Sequence, residues 1–214
     1  MRVEIVELLL CPAAHASSPL VTVAHRRDGE RLIEATLGCS VCGAEYALRD
    51  GVVYLGARGA EPSGESAGAV DPLRLAALLG LSEPGARVAL CGTVAAAAES
   101  VEPATGAVCV VINAKAAEGV PDRRDHILIG DATAIPLAGA SLHGVAVDTA
   151  HIALLSDAAR VVRQGGRVVA PAHAPVPEGC RELARDEREW VAEVVAWVSA
   201  PITVRTKADR HSSY

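Results

Sequence analysis

Four residues limit what the first quarter of this 214-residue chain can become: Cys11, His15, Cys39 and Cys42. They fall into two close pairs, Cys11-Pro-Ala-Ala-His15 and Cys39-Ser-Val-Cys42-Gly43, with 23 residues between them. Thiolates and imidazole in two short pairs match the tetrahedral preference of a structural zinc ion. Residues 1–55 are too few to hold a core by apolar burial alone, so a staple is expected there. Between the pairs, Leu20–His25 and Arg31–Leu37 flank Asp28-Gly29, which predicts a β-hairpin turning at Asp-Gly. Two metal-binding knuckles joined by a hairpin make a zinc ribbon. His25 competes with His15 as the fourth ligand.

The stretch 56–70 is dense in Gly, Ser and Pro and has no apolar periodicity, so it reads as a linker. It separates the ribbon, 1–55, from a larger domain, 71–214. In the latter, Asp71-Pro72 predicts a capped helix start. Short apolar runs at 87–91, 107–112, 126–130, 144–147 and 166–170 alternate with helical segments, one of them over 152–162. Residues 178–199 predict a long helix with Trp190, Val191, Val194, Val195, Trp197 and Val198 on one face, and 202–206 a last strand. The fold class expected is α/β: a Rossmann-like, mostly parallel sheet with helices on both faces, following the ribbon.

Composition narrows the function. Hydrophobic residues make up 50% of the chain and aromatics 2%, so the core must come from Ala, Val, Leu and Ile. No apolar run is long enough for a membrane helix, and Glu4 and Glu7 precede Leu8–Leu10 where a secretory signal would be basic. A cytoplasmic protein is therefore expected, in which Cys91, Cys109 and Cys180 are buried thiols and not half-disulfides. The net charge is −6. Residues 1–58 carry six arginines (2, 26, 27, 31, 49, 58) against seven acids (4, 7, 28, 30, 34, 45, 50), so no basic stripe offers itself to nucleic acid. The charged run 181–189 reads as a solvated helix face, or as a docking face for a protein partner.

Leu8-Leu9-Leu10-Cys11-Pro12, with Leu37-Gly38-Cys39-Ser40-Val41-Cys42-Gly43-Ala44-Glu45-Tyr46 and Arg49-Asp50-Gly51-Val52, resembles the Trm112-type zinc ribbon. His15 stands where that family has a second cysteine, and Ala47 and Val53 replace its prolines. The resemblance implies an adaptor or activator of methyltransferases, as a partner or fused in one chain.

A second resemblance spans residues 72–172. Gly130-Asp131-Ala132-Thr133-Ala134-Ile135-Pro136-Leu137 and Asp157-Ala158-Ala159-Arg160-Val161-Val162-Arg163-Gln164-Gly165-Gly166-Arg167 are similar to segments of class I S-adenosylmethionine (SAM) methyltransferases. That family places three glycines after its first strand, where backbone must approach the cofactor. Here only Gly92 remains, with Val94 and Ala96 at later glycine positions and Asn113 for the usual ribose-binding acid. The resemblance thus leaves Gly92, Asn113 and Asp131 as cofactor-binding positions, and weak or absent SAM binding is expected.

Asp148 and His151 follow the fourth strand, at the sheet edge where ligands sit in such folds. They are the catalytic candidates, able to move a proton; alternatively Asp148 caps the next helix and His151 lies at the surface. The function expected is a zinc-binding, methyltransferase-like protein acting as a binding or regulatory module, with a protein partner at the ribbon or the 181–198 helix. The alternative is an active SAM-dependent methyltransferase.

Overall fold

The computed structural model describes residues 1–56, 70–113, 125–129 and 133–195. Most of the linker, Asp131, Trp197 and the strand expected over 202–206 lie outside the described residues.

Asp28-Gly29 makes the expected hairpin, with Gly29 at φ +57°. It joins β1 (Leu20–Asp28) to β2 (Arg31–Cys39), and β3 (Glu45–Arg49) and β4 (Val52–Tyr54) extend the antiparallel run. In the second part, β5 (Arg87–Cys91), β6 (Val108–Ile112), β7 (Asp125–Leu128), β8 (Leu142–Val147) and β9 (Val162–Pro171) pair in parallel. Their apolar runs are buried on both faces, as parallel strands covered by helices require. The strand order is β1-β2-β3-β4-β7-β6-β5-β8-β9-β11-β10, a single sheet. β4 lies parallel to β7 with Val53 opposite Ile127, so the ribbon strands and the α/β strands are hydrogen-bonded together.

The sheet departs from the mostly parallel arrangement expected. Its named strands make five parallel and five antiparallel pairings, with the parallel ones confined to the middle. Part of the difference lies at residues 178–199, where a long helix was expected. The chain instead forms β10 (Cys180–Arg185) and β11 (Glu189–Val194), an antiparallel hairpin. Trp190, Val191, Ala192 and Val194 are all buried, which is the pattern of a strand covered on both faces and not of a one-sided helix. Asp186 Oδ1 accepts from the backbone N–H of Arg188 and of Glu189, making the tight turn between the strands. The Trp190 indole donates to the Ala174 carbonyl at 2.8 Å. The charges of 181–185 lie on the exposed edge strand, where they discourage further strand pairing.

Helices cover both faces. α2 (Pro72–Leu79) starts at Asp71, whose carboxylate accepts from the N–H of Leu73 and Arg74, and ends at Gly80 in the left-handed region. With α3 (Ala98–Thr105) it packs on Val88, Leu90, Cys109 and Val111. α4 (Leu155–Val161) packs on β8 and β9, and with the short α1 (Val3–Val6) it contributes to a second apolar cluster that holds Ala89, Cys91, Val110 and Ile112. That second apolar cluster runs without a break from Ile5, Leu9, Cys11 and Cys39 to Val147 and Trp190. A buried acid reinforces the join. Asp125 on β7 accepts from the Arg2 N–H at 2.6 Å and guanidinium at 2.8 Å, with Arg31 at 3.4 Å.

Candidate functional site

Among the described residues, two places collect chemically active side chains. The first is at the end of the ribbon. Cys11 follows α1, His15 sits on the succeeding turn, Cys39 closes β2, and Cys42 belongs to the knuckle between β2 and β3. Gly43, at φ +71°, donates its N–H to the Cys39 carbonyl at 2.9 Å and folds that knuckle back. One ligand atom from each of the four lies within 4.8 Å of every other. Cys11 Sγ is 3.8 Å from Cys42 Sγ, and His15 Nε2 is 3.2 Å from Cys11 Sγ and 3.4 Å from Cys39 Sγ. A tetrahedron with metal–sulfur bonds near 2.3 Å has sulfur–sulfur edges of about 3.8 Å, so the donor set fits zinc. His25 is not part of it; its Nε2 is 2.9 Å from the Thr36 hydroxyl.

The surroundings also suit a metal centre. His15 Nδ1–H donates to the Ala16 carbonyl at 2.6 Å, which fixes the tautomer and turns Nε2 toward the sulfurs. The Tyr46 hydroxyl lies 3.4 Å from Cys11 Sγ. Backbone N–H groups of Cys42 and Val41 bring the Cys39 thiol down to about 6. Burial raises the Cys11 thiol, but hydrogen bonds from Tyr46 and the Ala13 backbone outweigh it. Thiolates are the form a metal takes.

The second place is the topological switch point. The chain steps from β5 to β6 and β7 on one side and from β8 to β9 on the other, so the crevice lies beyond Cys91 and Val147. Open α/β sheets bind their ligands there. Beyond these strand ends, Asp148, Thr93 and His151 bond one another. Asp148 Oδ2 accepts from the Thr93 N–H at 2.8 Å and the Thr93 hydroxyl at 2.9 Å. Its Oδ1 accepts from His151 Nδ1–H at 2.6 Å and the His151 N–H at 3.1 Å, capping the 3₁₀ segment Thr149–Leu154. Burial opposes the Asp148 charge, but donation from His151 and Thr93 prevails and holds the carboxyl below its ordinary range.

Gly92 opens a second 3₁₀ segment, Gly92–Ala97, directly at the strand end, with φ +72°. A Cβ there would lie 2.3 Å from Asp148 Oδ2 and 2.4 Å from His151 Nδ1. The close approach that glycine permits at this position is therefore to Asp148 and His151. Asn113, at φ +52°, accepts on Oδ1 from the Ile129 N–H at 2.9 Å and donates its own N–H to the Ile127 carbonyl at 3.0 Å. That oxygen bridges the ends of β6 and β7. Asp148 and His151 are paired, and His151 is buried, not at the surface. Burial pushes the Cys91 thiol up, and Cys91 sits beneath this network as a core residue.

The sequence marks neither Thr93 nor the Tyr46 hydroxyl as part of a site. The available signals were a hydroxyl beside the loop glycine, and an aromatic hydroxyl four residues beyond Cys42.

No protein-family model and no curated protein matches the chain. Among solved structures, it is similar to a chain in the complex of the Haloferax volcanii Trm112 methyltransferase activator with a methyltransferase. That match has 12% identity and a TM-score of 0.41, and covers 58% of this chain and 94% of that one. The antibiotic-resistance methyltransferase Kmr gives 15% identity, a TM-score of 0.37, and coverage of 62% and 97%. The geranyl diphosphate C-methyltransferase of Streptomyces coelicolor gives 15%, 0.38, and coverage of 46% and 41%, so the chain spans under half of that enzyme. Among the described residues, no helix is long and apolar enough to cross a membrane.

Proposed function

We propose that this chain is a zinc-stapled ribbon joined to a methyltransferase-like scaffold whose cofactor crevice is closed, and that it acts as a binding or regulatory module. Cys11, His15, Cys39 and Cys42 hold the ion, which has a structural role because all four positions are filled by protein. The linker 56–70 joins ribbon 1–55 to scaffold 71–214. The protein works in the cytoplasm, where thiol ligands stay reduced.

The observation that carries the closed-crevice reading is the Asp148 carboxylate, 2.8 Å from the Thr93 N–H. A backbone N–H at a helix start beyond a sheet is the usual donor to a ligand's anionic group. Here a side chain of the protein already accepts from it. Asn113 reinforces the reading, because its amide oxygen accepts from Ile129 and is turned to structural use. The partner is a protein that meets the ribbon, or the outer surface of the β10–β11 hairpin, which now stands in place of a helix.

Metal analysis and SAM titration of the purified full chain test this together. One zinc per chain is expected, with SAM binding too weak to measure at tens of micromolar. Absence of zinc would overturn the metal centre. A SAM dissociation constant at or below about 10 μM, about −6.8 kcal/mol, would overturn the closed crevice and return the active methyltransferase to first place.

A further inference from the structure

The three thiolates of the metal cluster differ sharply in access. Cys11 is 9% and Cys39 4% exposed, and both pack into the large apolar core. Cys42 is exposed on the knuckle, beside Val41, which is 61% exposed. A dissolved oxidant therefore reaches the cluster at Cys42. The sulfur of Cys11 is 3.8 Å away, across the chain from another segment. A disulfide needs about 2.05 Å between sulfurs, so closure requires a shift of under 2 Å, within reach of an exposed knuckle.

We propose that Cys42 is a hydroperoxide-sensitive site, and that its oxidation closes a Cys11–Cys42 disulfide and releases the metal. This rests on the zinc reading above. The Cys42 thiolate attacks one oxygen of the hydroperoxide. The O–O bond breaks, leaving a sulfenic acid on Cys42 and hydroxide, or alkoxide from an organic peroxide. The Cys11 thiolate then attacks the Cys42 sulfur, the S–S bond forms, the S–O bond breaks, and a second hydroxide leaves. Two protons from solvent neutralise the anions. Two electrons pass from the two sulfurs to the peroxide, and two of the four metal ligands are lost at once. The exposed ligand thus couples solvent redox conditions to the staple of a ribbon that shares its sheet and core with the scaffold.

The test uses the zinc-loaded full chain, treated with hydrogen peroxide in the presence of a chromophoric zinc chelator. One equivalent of zinc should appear per chain, and two thiols should disappear. After alkylation and trypsin digestion, the disulfide should join the peptide spanning 3–26 to the one spanning 32–49, since Cys39 and Cys42 share the latter. Cys42→His keeps a metal ligand but removes the attacking sulfur, and its zinc should be retained under the same treatment. Cys180→Ser, which removes the half-buried thiol of β10, should release zinc like the unmodified protein. Retention of zinc with all thiols intact would overturn the proposal, as would a disulfide confined to peptide 32–49 or release unchanged in Cys42→His. A chain purified without zinc would instead overturn the metal reading beneath it.

Discussion

Replacing Asp148 by alanine separates a structural carboxylate from a ligand-binding one. In the folded protein its two oxygens accept four hydrogen bonds, from the Thr93 N–H and hydroxyl and from the His151 N–H and Nδ1–H. Asp148→Ala leaves all four donors without this acceptor. Hydrogen bonds to a charged group contribute about 1.5–3 kcal/mol each, and loss of an N-cap costs about 1 kcal/mol. The four share one carboxylate, and water can enter where the side chain was, so they do not add. A net loss of about 3 kcal/mol is expected, or about 6–12 °C in Tm for a chain of this length. Urea denaturation followed by far-UV circular dichroism measures it. Asp148→Asn keeps the shape and one acceptor oxygen and should lose about half as much. A loss below about 1 kcal/mol in Asp148→Ala would refute the reasoning, because it would mean that the carboxylate is not committed to Thr93 and His151.

The same carboxylate gives a pH dependence. Its folded value lies below the ordinary 3.8, so its contribution is present in full above that value. It is lost as pH falls through the folded value, so stability below about pH 4 should fall more steeply in the unmodified protein than in Asp148→Asn. Gly92→Ala should cost more than about 2 kcal/mol in a thermal melt, because its Cβ would enter the Asp148–His151 contact from a left-handed backbone. Asp125→Ala should cost about 3 kcal/mol in urea, since it removes the buried carboxylate that Arg2 and Arg31 share and leaves Arg2 with Glu102 alone. Prolonged chelation, or Cys39→Ser, removes a staple worth on the order of 10 kcal/mol, and circular dichroism should report loss of the β1–β4 strands.

The metal cluster was legible because ligand chemistry leaves spacing behind: Cys39 and Cys42 must be close in sequence to face one ion, and Gly43 must follow to turn the chain. The parallel strands were legible for a similar reason, since Val108–Ile112 is apolar at every position, rich in β-branched residues and too short for a helix, as a strand covered on both faces is. The β10–β11 hairpin was misread because Trp190–Val195 satisfies a helical face and a buried strand equally well. What decides is the room left beside β9, which accepts Trp190 opposite Ala170. Asp28-Gly29 signals the β1–β2 hairpin, but nothing local signals that its neighbours join the α/β sheet, because the β4–β7 pairing sets Val52 opposite His126, far apart along the chain. At the ends of β5 and β8, the sequence shows Gly92 as the one loop glycine, but not what its open backbone approaches. Thr93 and Asp148 are 55 positions apart, and their hydrogen bond exists only once β5 and β8 are neighbours.

That pairing of β4 with β7 changes what the ribbon does for the scaffold. β7 has four residues, Asp125–Leu128, and is flanked by β6 and β4. Without β4 it would be an edge strand, presenting unpaired N–H and C=O groups to solvent or to another chain. The ribbon covers that edge through Val52–Tyr54 and continues past it, where the N–H groups of Leu55 and Gly56 both donate to the Leu128 carbonyl. β7 in turn leads into Ile129, whose N–H is held by Asn113 at the mouth of the crevice. A metal held by Cys11 and Cys39 would therefore stabilise the outer wall of the scaffold through three successive pairings, β2 to β3, β3 to β4 and β4 to β7.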